Sequence, residues 1–396
     1  MATLLMTALV TGSVLFIFNL LQEREQHRLQ HRFGADIAEI SVKVSERMMA
    51  YAHILKGGRG LFTSSENVTR QAWHEYATSL ELERDYPGIQ GVGFALYIPP
   101  VGLAEHEREV NKEGFENYHI WPEGKRDIYT GILYLEPFDW RNQRAFGYDM
   151  FSELTRREAM ERARDTGRPA ISGKVLLVQE TGDKAQAGTL LYVPVYKIAG
   201  SLNTVKQRRQ ALLGWVYSPY RMDNLIEGIL GAQSEEFRLK ISDESASEAN
   251  DVLYDNTLAE GNEHPLIHQS INLKVNGRIW QLHFDALPHY TEAIGSSSFF
   301  VEVSGVLLIG ILLILLTWNI FNTHRNAELL AKRLSTSLNK SERQFHLVTD
   351  DSPVMIAQLD CDKRYMLVNK SYANISGSKP DDLVGKRASE ILSEDV

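Results

Sequence analysis

The sequence predicts an α+β protein, with a long stalk helix and antiparallel sheets set between two membrane-spanning helices. Three observations carry that prediction. Residues 2–21 hold no charged side chain and residues 299–321 hold only Glu302, and each run can cross roughly 30 Å of hydrocarbon as a helix. Between them, Leu29, Phe33, Ile37, Ile40, Val44, Met48, Tyr51 and Leu55 recur about every 3.7 residues, a helical stripe. Beyond residue 89 the pattern turns to short alternating runs, and Asn276-Gly277 between two of them is a hairpin signal.

The first apolar run lacks a basic leader region and a small-residue cleavage site, so it reads as an uncleaved anchor. The second is apolar on every face, which favours a span over a buried core helix. His324, Arg325, Lys332, Arg333, Lys340 and Arg343 follow it and place that end in the cytoplasm. Residues 22–298 then lie in the periplasm or outside the cell, and Glu302 sits near the outer interface, in reach of headgroup water.

The stalk helix is expected to end at Gly57-Gly58-Arg59-Gly60, and its stripe needs either a second protomer or the rest of the ectodomain as a partner. An amphipathic segment at 68–84 follows, with Asn67 or Thr69 as its cap. Strands are expected at 89–98, 128–135, 175–179, 189–196, 211–217, 237–241, 269–275 and 278–284, with helices at 104–113 and 153–165. In GYDMFSELTRREAM, residues 147–160, Thr155 and Glu158 stand at capping-box spacing and Ser152 is an alternative cap. Asp149 lies in the strand-to-helix turn and reads as structural. After the second span, Ala327, Leu330, Leu334, Leu338 and Phe345 fit either a parallel two-helix linker or a solvated helix.

Composition bounds the function. The chain has 396 residues, 43% hydrophobic and 23% charged, enough for two or three domains. A net charge of −9 argues against a nucleic-acid binder. Cys361 is the only cysteine, which excludes a disulfide framework and a cysteine-based zinc site. Glu136, Asp139 and Asp149 offer carboxylates, but a hydrolase pair is set by spacing in the fold, not in sequence. No G-x-S-x-G elbow, H-E-x-x-H, P-loop, dinucleotide fingerprint, cyclase signature or phosphoacceptor box occurs. No catalytic residue, cofactor or metal site is therefore assigned, and His27 and His31 read as a solvated face of the stalk.

Four blocks carry a resemblance: DYPGIQGVGFALYIPP (85–100), ILYLEPFDWRNQRAFGYDMFSE (132–153), REAMERARDTGRPAISGKVLLVQE (157–180) and LLYVPVY (190–196). In order and spacing they resemble the CHASE domain, an extracellular ligand-sensing module of bacterial and plant receptors. Residues 341–392 resemble the first half of a PAS domain, with Asn369 after a strand and a turn-helix-turn at 379–386. The resemblance implies a transmembrane sensor whose PAS-like, membrane-distal lobe binds a small molecule. Helices would carry the change to a histidine kinase or cyclic-di-GMP enzyme beyond this chain. In the plant cytokinin receptors of this family a pocket aspartate holds an adenine-type ligand, and Asp139 lies nearest that position.

The implied division is a span at 1–21, a periplasmic stalk region at 22–84, the sensor domain at 85–298, a span at 299–321, a linker at 322–345 and half a PAS domain at 346–396. A pocket needs an apolar wall with a few directed polar groups. Tyr129, Tyr134, Asp139, Ser172, Thr189 and Tyr192, on or beside the expected strands, are the candidates. The expected partners are a small molecule outside, the lipid bilayer of the inner membrane and a second copy of the chain. The competing class is a membrane-tethered hydrolase or carbohydrate-binding protein without signalling.

Overall fold

The computed structural model describes residues 2–86, 88–180, 186–197, 201–231, 237–246, 252–256 and 267–391. It is a mixed helix and antiparallel-sheet protein that divides into two units, residues 21–300 and residues 1–20 with 301–396.

In the first unit, helix α1 (Ala2–Ser64) buries the predicted stripe from Phe33 through Ile37, Ile40, Val44, Met48, Tyr51 and Leu55. It does not stop at the glycines. A Cβ at Gly58 would lie 3.1 Å from Val216 and 3.3 Å from Trp73, so that glycine serves close packing and lets the helix continue to Ser64. Thr69 caps α2 (Arg70–Ser79) by accepting the Ala72 N–H. Next come α3 (Leu82–Asp85), β1 (Val92–Ile98), α4 (Leu103–Lys112), β2 (Tyr129–Glu136) and α5 (Leu154–Thr166). Glu153, rather than Thr155 or Ser152, caps α5: its carboxylate accepts the N–H groups of Thr155 and Arg156. Gly167, in the left-handed region at φ 71°, ends that helix as expected.

The chain continues through β3 (Ala170–Ile171), β4 (Gly188–Tyr196), α6 (Val205–Ala211), β5 (Leu212–Arg221) and α7 (Met222–Leu230). The strand expected at 175–179 is reduced to one bridge, Val175 with Gly188. Leu177 turns inward instead, into the space that a Cβ on Gly188 would fill. A second group of strands follows, β6 (Phe237–Asp243), β7 (Val252–Asp255), β8 (His268–Val275) and β9 (Arg278–Ala286). β7 had no clear sequence signal.

The strands form a five-stranded sheet in the order β2-β1-β5-β4-β3 and a four-stranded sheet in the order β7-β6-β9-β8, all antiparallel. α1 lies along one face of both, in a single core that joins Phe33, Val44, Trp73, Val193, Leu225, Leu239 and Phe284. Asn276-Gly277 forms the predicted tight turn, with φ 41° and 90°. Its tip reaches the first sheet: the Ile171 N–H donates to the Asn276 carbonyl at 3.0 Å, and Arg162 of α5 donates to the Ile171 carbonyl at 2.6 Å. Beside this joint Arg278 and Asp243 form a buried ion pair.

α8 (Pro288–Asp350) leaves the second sheet directly from β9. Tyr290 ties it back to α1, stacking edge-on with Phe33 and donating its hydroxyl to Asp36 at 2.6 Å.

The second unit holds the apolar ends of both long helices. Each is long and apolar enough to cross a membrane. A Cβ on Gly310 would come within 2.8 Å of Val14, so the two helices touch closely there. α8 runs unbroken to Asp350, and Leu330, Leu334, Leu338 and Phe345 are exposed along it. A small fold follows, with β10 (Ala357–Leu359), β11 (Tyr365–Val368), α9 (Lys370–Ile375), α10 (Pro380–Leu383) and α11 (Ala388–Ile391). Asn369 is its hub, accepting from Ile356 and Tyr372 and donating to the carbonyls of Thr349 and Val354. Residues 392–396 of the expected PAS half lie outside the described residues.

Candidate functional site

Alternation along the strands gives the five-stranded sheet two chemically different faces. Phe94, Leu191, Val193, Val216 and Tyr220 point toward α1. Ala95, Ile132, Leu190, Tyr192, Trp215 and Tyr217 point toward α5 and the turn before it. On the α1 side Phe62, Phe94, Tyr134 and Trp73 stack in one aromatic layer, with Phe62 and Phe94 centroids 4.0 Å apart.

The α5 side is an apolar cluster with a few polar groups embedded in it. Tyr192 and Tyr217 are direct partners across β4 and β5, their ring centroids 6.2 Å apart and both side chains buried. The Tyr217 hydroxyl has no hydrogen-bond partner. That of Tyr192 meets only the Met150 sulfur, at 3.3 Å. Burial pushes both phenols well above their ordinary range, so they are protonated and act as donors. Arg156, 4% exposed, reaches in from α5 with its guanidinium 5.4 Å from the Tyr148 ring centroid. It donates to the Leu176 carbonyl at 2.7 Å and to Glu153 at 3.2 Å. The opposite wall is Met150, Phe151, Ala159, Met160 and Ala163, and the Trp215 indole N–H is satisfied by the Met160 carbonyl.

Asp149 orders the turn beside this cluster. Its Oδ1 accepts the Thr130 N–H, the Thr130 hydroxyl and the Phe151 N–H at 2.9, 2.8 and 3.0 Å, and Arg126 lies 3.2 Å from Oδ2. Burial raises its carboxyl pKa, opposed by those hydrogen bonds and by Arg126. The carboxylate orders the turn Met150–Ser152 and thereby lays Met150 and Phe151 over the sheet.

The predicted site residues do not converge. Tyr192 and Ser172 belong to the α5 side, where the Ser172 hydroxyl accepts the Leu190 N–H and donates to the Gly173 carbonyl. Tyr134 lies in the aromatic layer on the α1 side, its hydroxyl on the Val68 carbonyl. Thr189 shares that side of the sheet and donates to the Met222 sulfur. Tyr129, at the start of β2, donates to the Gly124 carbonyl in a small satellite core. Asp139 sits in an exposed loop and accepts the N–H groups of Arg141 and Asn142, as the anchor of a short turn. Glu136 borders a surface cleft of about 450 Å³ with His74, Ala77, Leu82 and Pro137, its Oε2 3.2 Å from His74 Nδ1. Among the described residues no three His, Cys, Asp or Glu side chains are grouped to hold a metal ion.

The sequence did not single out Tyr217, Arg156 or Met150. Tyr217 could have been paired with Tyr192 from the two expected strands, had their register been known.

Comparison with known families matches residues 66–254 to the CHASE domain and residues 349–396 to a PAS fold. The hybrid signal transduction histidine kinase A of Dictyostelium discoideum is 23% identical over 188 residues, which is 46% of this chain but 9% of that protein. The chain thus spans under a tenth of that relative's length. Among solved structures, the periplasmic sensory domain of the Campylobacter jejuni chemoreceptor Tlp1 is covered over 95% of its length by 66% of this chain, with a TM-score of 0.39 and 10% identity.

Proposed function

We propose that this chain, which carries a CHASE domain over residues 66–254 and a PAS fold over residues 349–396, is the sensing part of a membrane-bound signal-transduction receptor. The reading rests on one arrangement above all: the CHASE domain is entered by α1 and left by α8, and both helices contain an apolar stretch long enough to span a membrane. In this reading residues 21–300 face the periplasm or cell exterior, and a small molecule binds the α5 side of the five-stranded sheet. An equilibrium moves only if the ligand prefers one arrangement of the domain over another. Displacement of α8 against α1, across the Tyr290–Asp36 bond, would carry that preference toward the PAS fold and an output domain of the kinase or cyclic-di-GMP type. The receptor acts as a homodimer in the inner membrane.

The test is a thermal-shift screen of the intact chain in nanodiscs against small metabolites, repeated with Asp139→Ala and Tyr192→Phe. Stabilisation by one compound, weakened by Tyr192→Phe and retained by Asp139→Ala, supports binding beneath α5. Loss in Asp139→Ala alone would return the site to the exposed loop. Turnover of the bound compound would favour the tethered hydrolase instead.

A further inference from the structure

We propose that the cleft between α2, α3 and the end of β2 is a further binding site, which takes a small primary amine through Glu136. It goes beyond the sensor reading and lies apart from the α5 side of the sheet. The cleft holds about 450 Å³, within the size range of small-molecule sites, and Ala77, Leu82 and Pro137 give it an apolar wall.

Glu136 carries the argument, because the fold alone does not account for it. Along β2, Tyr134 joins the aromatic layer on the α1 side and Leu135 the cluster on the α5 side. Alternation therefore puts Glu136 on the α1 side, opposite Val92, which belongs to the apolar core there. The Glu136 side chain is only 19% exposed. Its Oε2 accepts the Phe138 N–H at 3.2 Å and lies 3.2 Å from His74 Nδ1. Its Oε1 has no protein partner among the described residues. A carboxylate drawn this far out of water is costly unless a donor or a cation meets it. An ammonium group in the cleft would supply both.

The rest of the lining selects the charge. Arg84 is already matched by acids, Glu81 on one side and both carboxylate oxygens of Asp85 on the other. His74 Nδ1 beside Glu136 favours the tautomer with its proton there, which leaves Nε2 as an acceptor. Thr78, also on the lining, adds a hydroxyl that can accept. A primary ammonium has three N–H donors and no acceptor, and so fits this set. An acid would meet Glu81 and Glu136 with like charge, and an alcohol brings one donor and no charge.

Occupancy would also tie elements together. The start of α2 is already fastened to β2, since Arg70 donates to the Leu133 carbonyl and Tyr134 to the Val68 carbonyl, both at 2.7 Å. The cleft lies at the other end of α2, so an occupant would fasten that end and α3 to β2 as well. The stalk reaches the same place, with Arg47 of α1 donating to the Asp85 carbonyl at 3.0 Å.

The experiment is calorimetric titration of the intact chain in phosphatidylcholine nanodiscs, with empty nanodiscs subtracted. The probes are n-butylamine, benzylamine and phenethylamine, each beside its alcohol. The expected result is saturable binding of at least one amine and none of its alcohol. Glu136→Gln keeps an acceptor for Phe138, should melt with the wild type, and should weaken the amine by more than tenfold. Thr78→Trp, at an exposed position, should abolish binding by filling the cleft, and decides alone if Glu136→Gln does not fold. Tyr192→Phe should leave the amine unaffected. No saturable amine binding, equal binding of amine and alcohol, or amine binding that survives Thr78→Trp overturns the proposal. None of these outcomes touches the sensor reading, which places its ligand on the α5 side.

Discussion

The two faces of the five-stranded sheet are written by alternate residues of the same strands, yet they solve different problems. Toward α1, Leu191, Val193 and Val216 join a continuous apolar core with the stalk stripe. Toward α5, their immediate neighbours are Tyr192, Trp215 and Tyr217, and the facing wall adds Arg156 and the Met150 thioether. A slip of one residue in register would exchange the two faces completely. The β4–β5 pairing that builds the fold therefore also decides which side Tyr192 and Tyr217 share. The α1 side has unmet donors too, the Trp73 indole N–H and the Tyr220 hydroxyl, and there the Arg70 guanidinium lies 5.3 Å from the Tyr134 ring centroid. The two sets of contacts are separated by the pleat of the sheet, not by distance along the chain.

The comparison is broken most severely by emptying the α1 side. Trp73, 1% exposed, fills the space between α2 and the sheet. Trp73→Ala should cost about 3–5 kcal/mol in denaturant unfolding, with hydrogen-exchange changes centred on α1 and α2 rather than on α5. Changes of equal size on α5 would show that the faces are not divided as described.

Asp149→Ala tests the rim of the other side. It removes the acceptor for three hydrogen bonds and leaves Arg126 facing an uncompensated hole. The expected loss is about 2–4 kcal/mol, and chemical-shift or hydrogen-exchange changes should centre on residues 126–152.

The smallest of these effects lies in the satellite core, where His106 of α4 is buried against Tyr118. Its Nε2 is 2.9 Å from the Tyr118 hydroxyl. Burial is the main cause that lowers its pKa from 6.5 to about 4, with Glu113 raising it and Arg70 lowering it. The folded value lies below the unfolded one, so the contribution is fully present above about pH 6.5 and is lost as the pH falls toward 4. Between pH 8 and pH 5 the loss attributable to His106 should be on the order of 2 kcal/mol. The measurement is the difference in unfolding free energy between wild type and His106→Gln across that range. Parallel curves would mean that the imidazole has the same pKa in the folded and unfolded chain.

The architecture was legible where local chemistry and global packing agree. Thr69, Gly167 and Asn276-Gly277 each meet a backbone requirement that few other residues meet, and each stands where the sequence placed it. Legibility failed where a residue had two uses. Gly58 reads as a stop but serves the close approach of Val216 and Trp73, and Leu177 reads as strand but fills the space above Gly188. At the α5 entrance, Ser152, Thr155 and Glu153 were all chemically able to cap, and position alone selected Glu153. The Tyr192–Tyr217 contact was less legible still, because the two are 25 residues apart and meet only once the register is known. Asp139, singled out by resemblance, spends its carboxylate on the backbone of its own turn.

One joint has a mechanical meaning. The Asn276-Gly277 tip is hydrogen-bonded to β3, and β3 is in turn held by Arg162 on α5, the helix that covers that face of the first sheet. From that tip β9 runs into α8, separated from it only by Leu287. The hairpin, braced by β6 along β9 and by α1 along one face of both sheets, is thus a strut with α5 at one end and the start of the outgoing helix at the other.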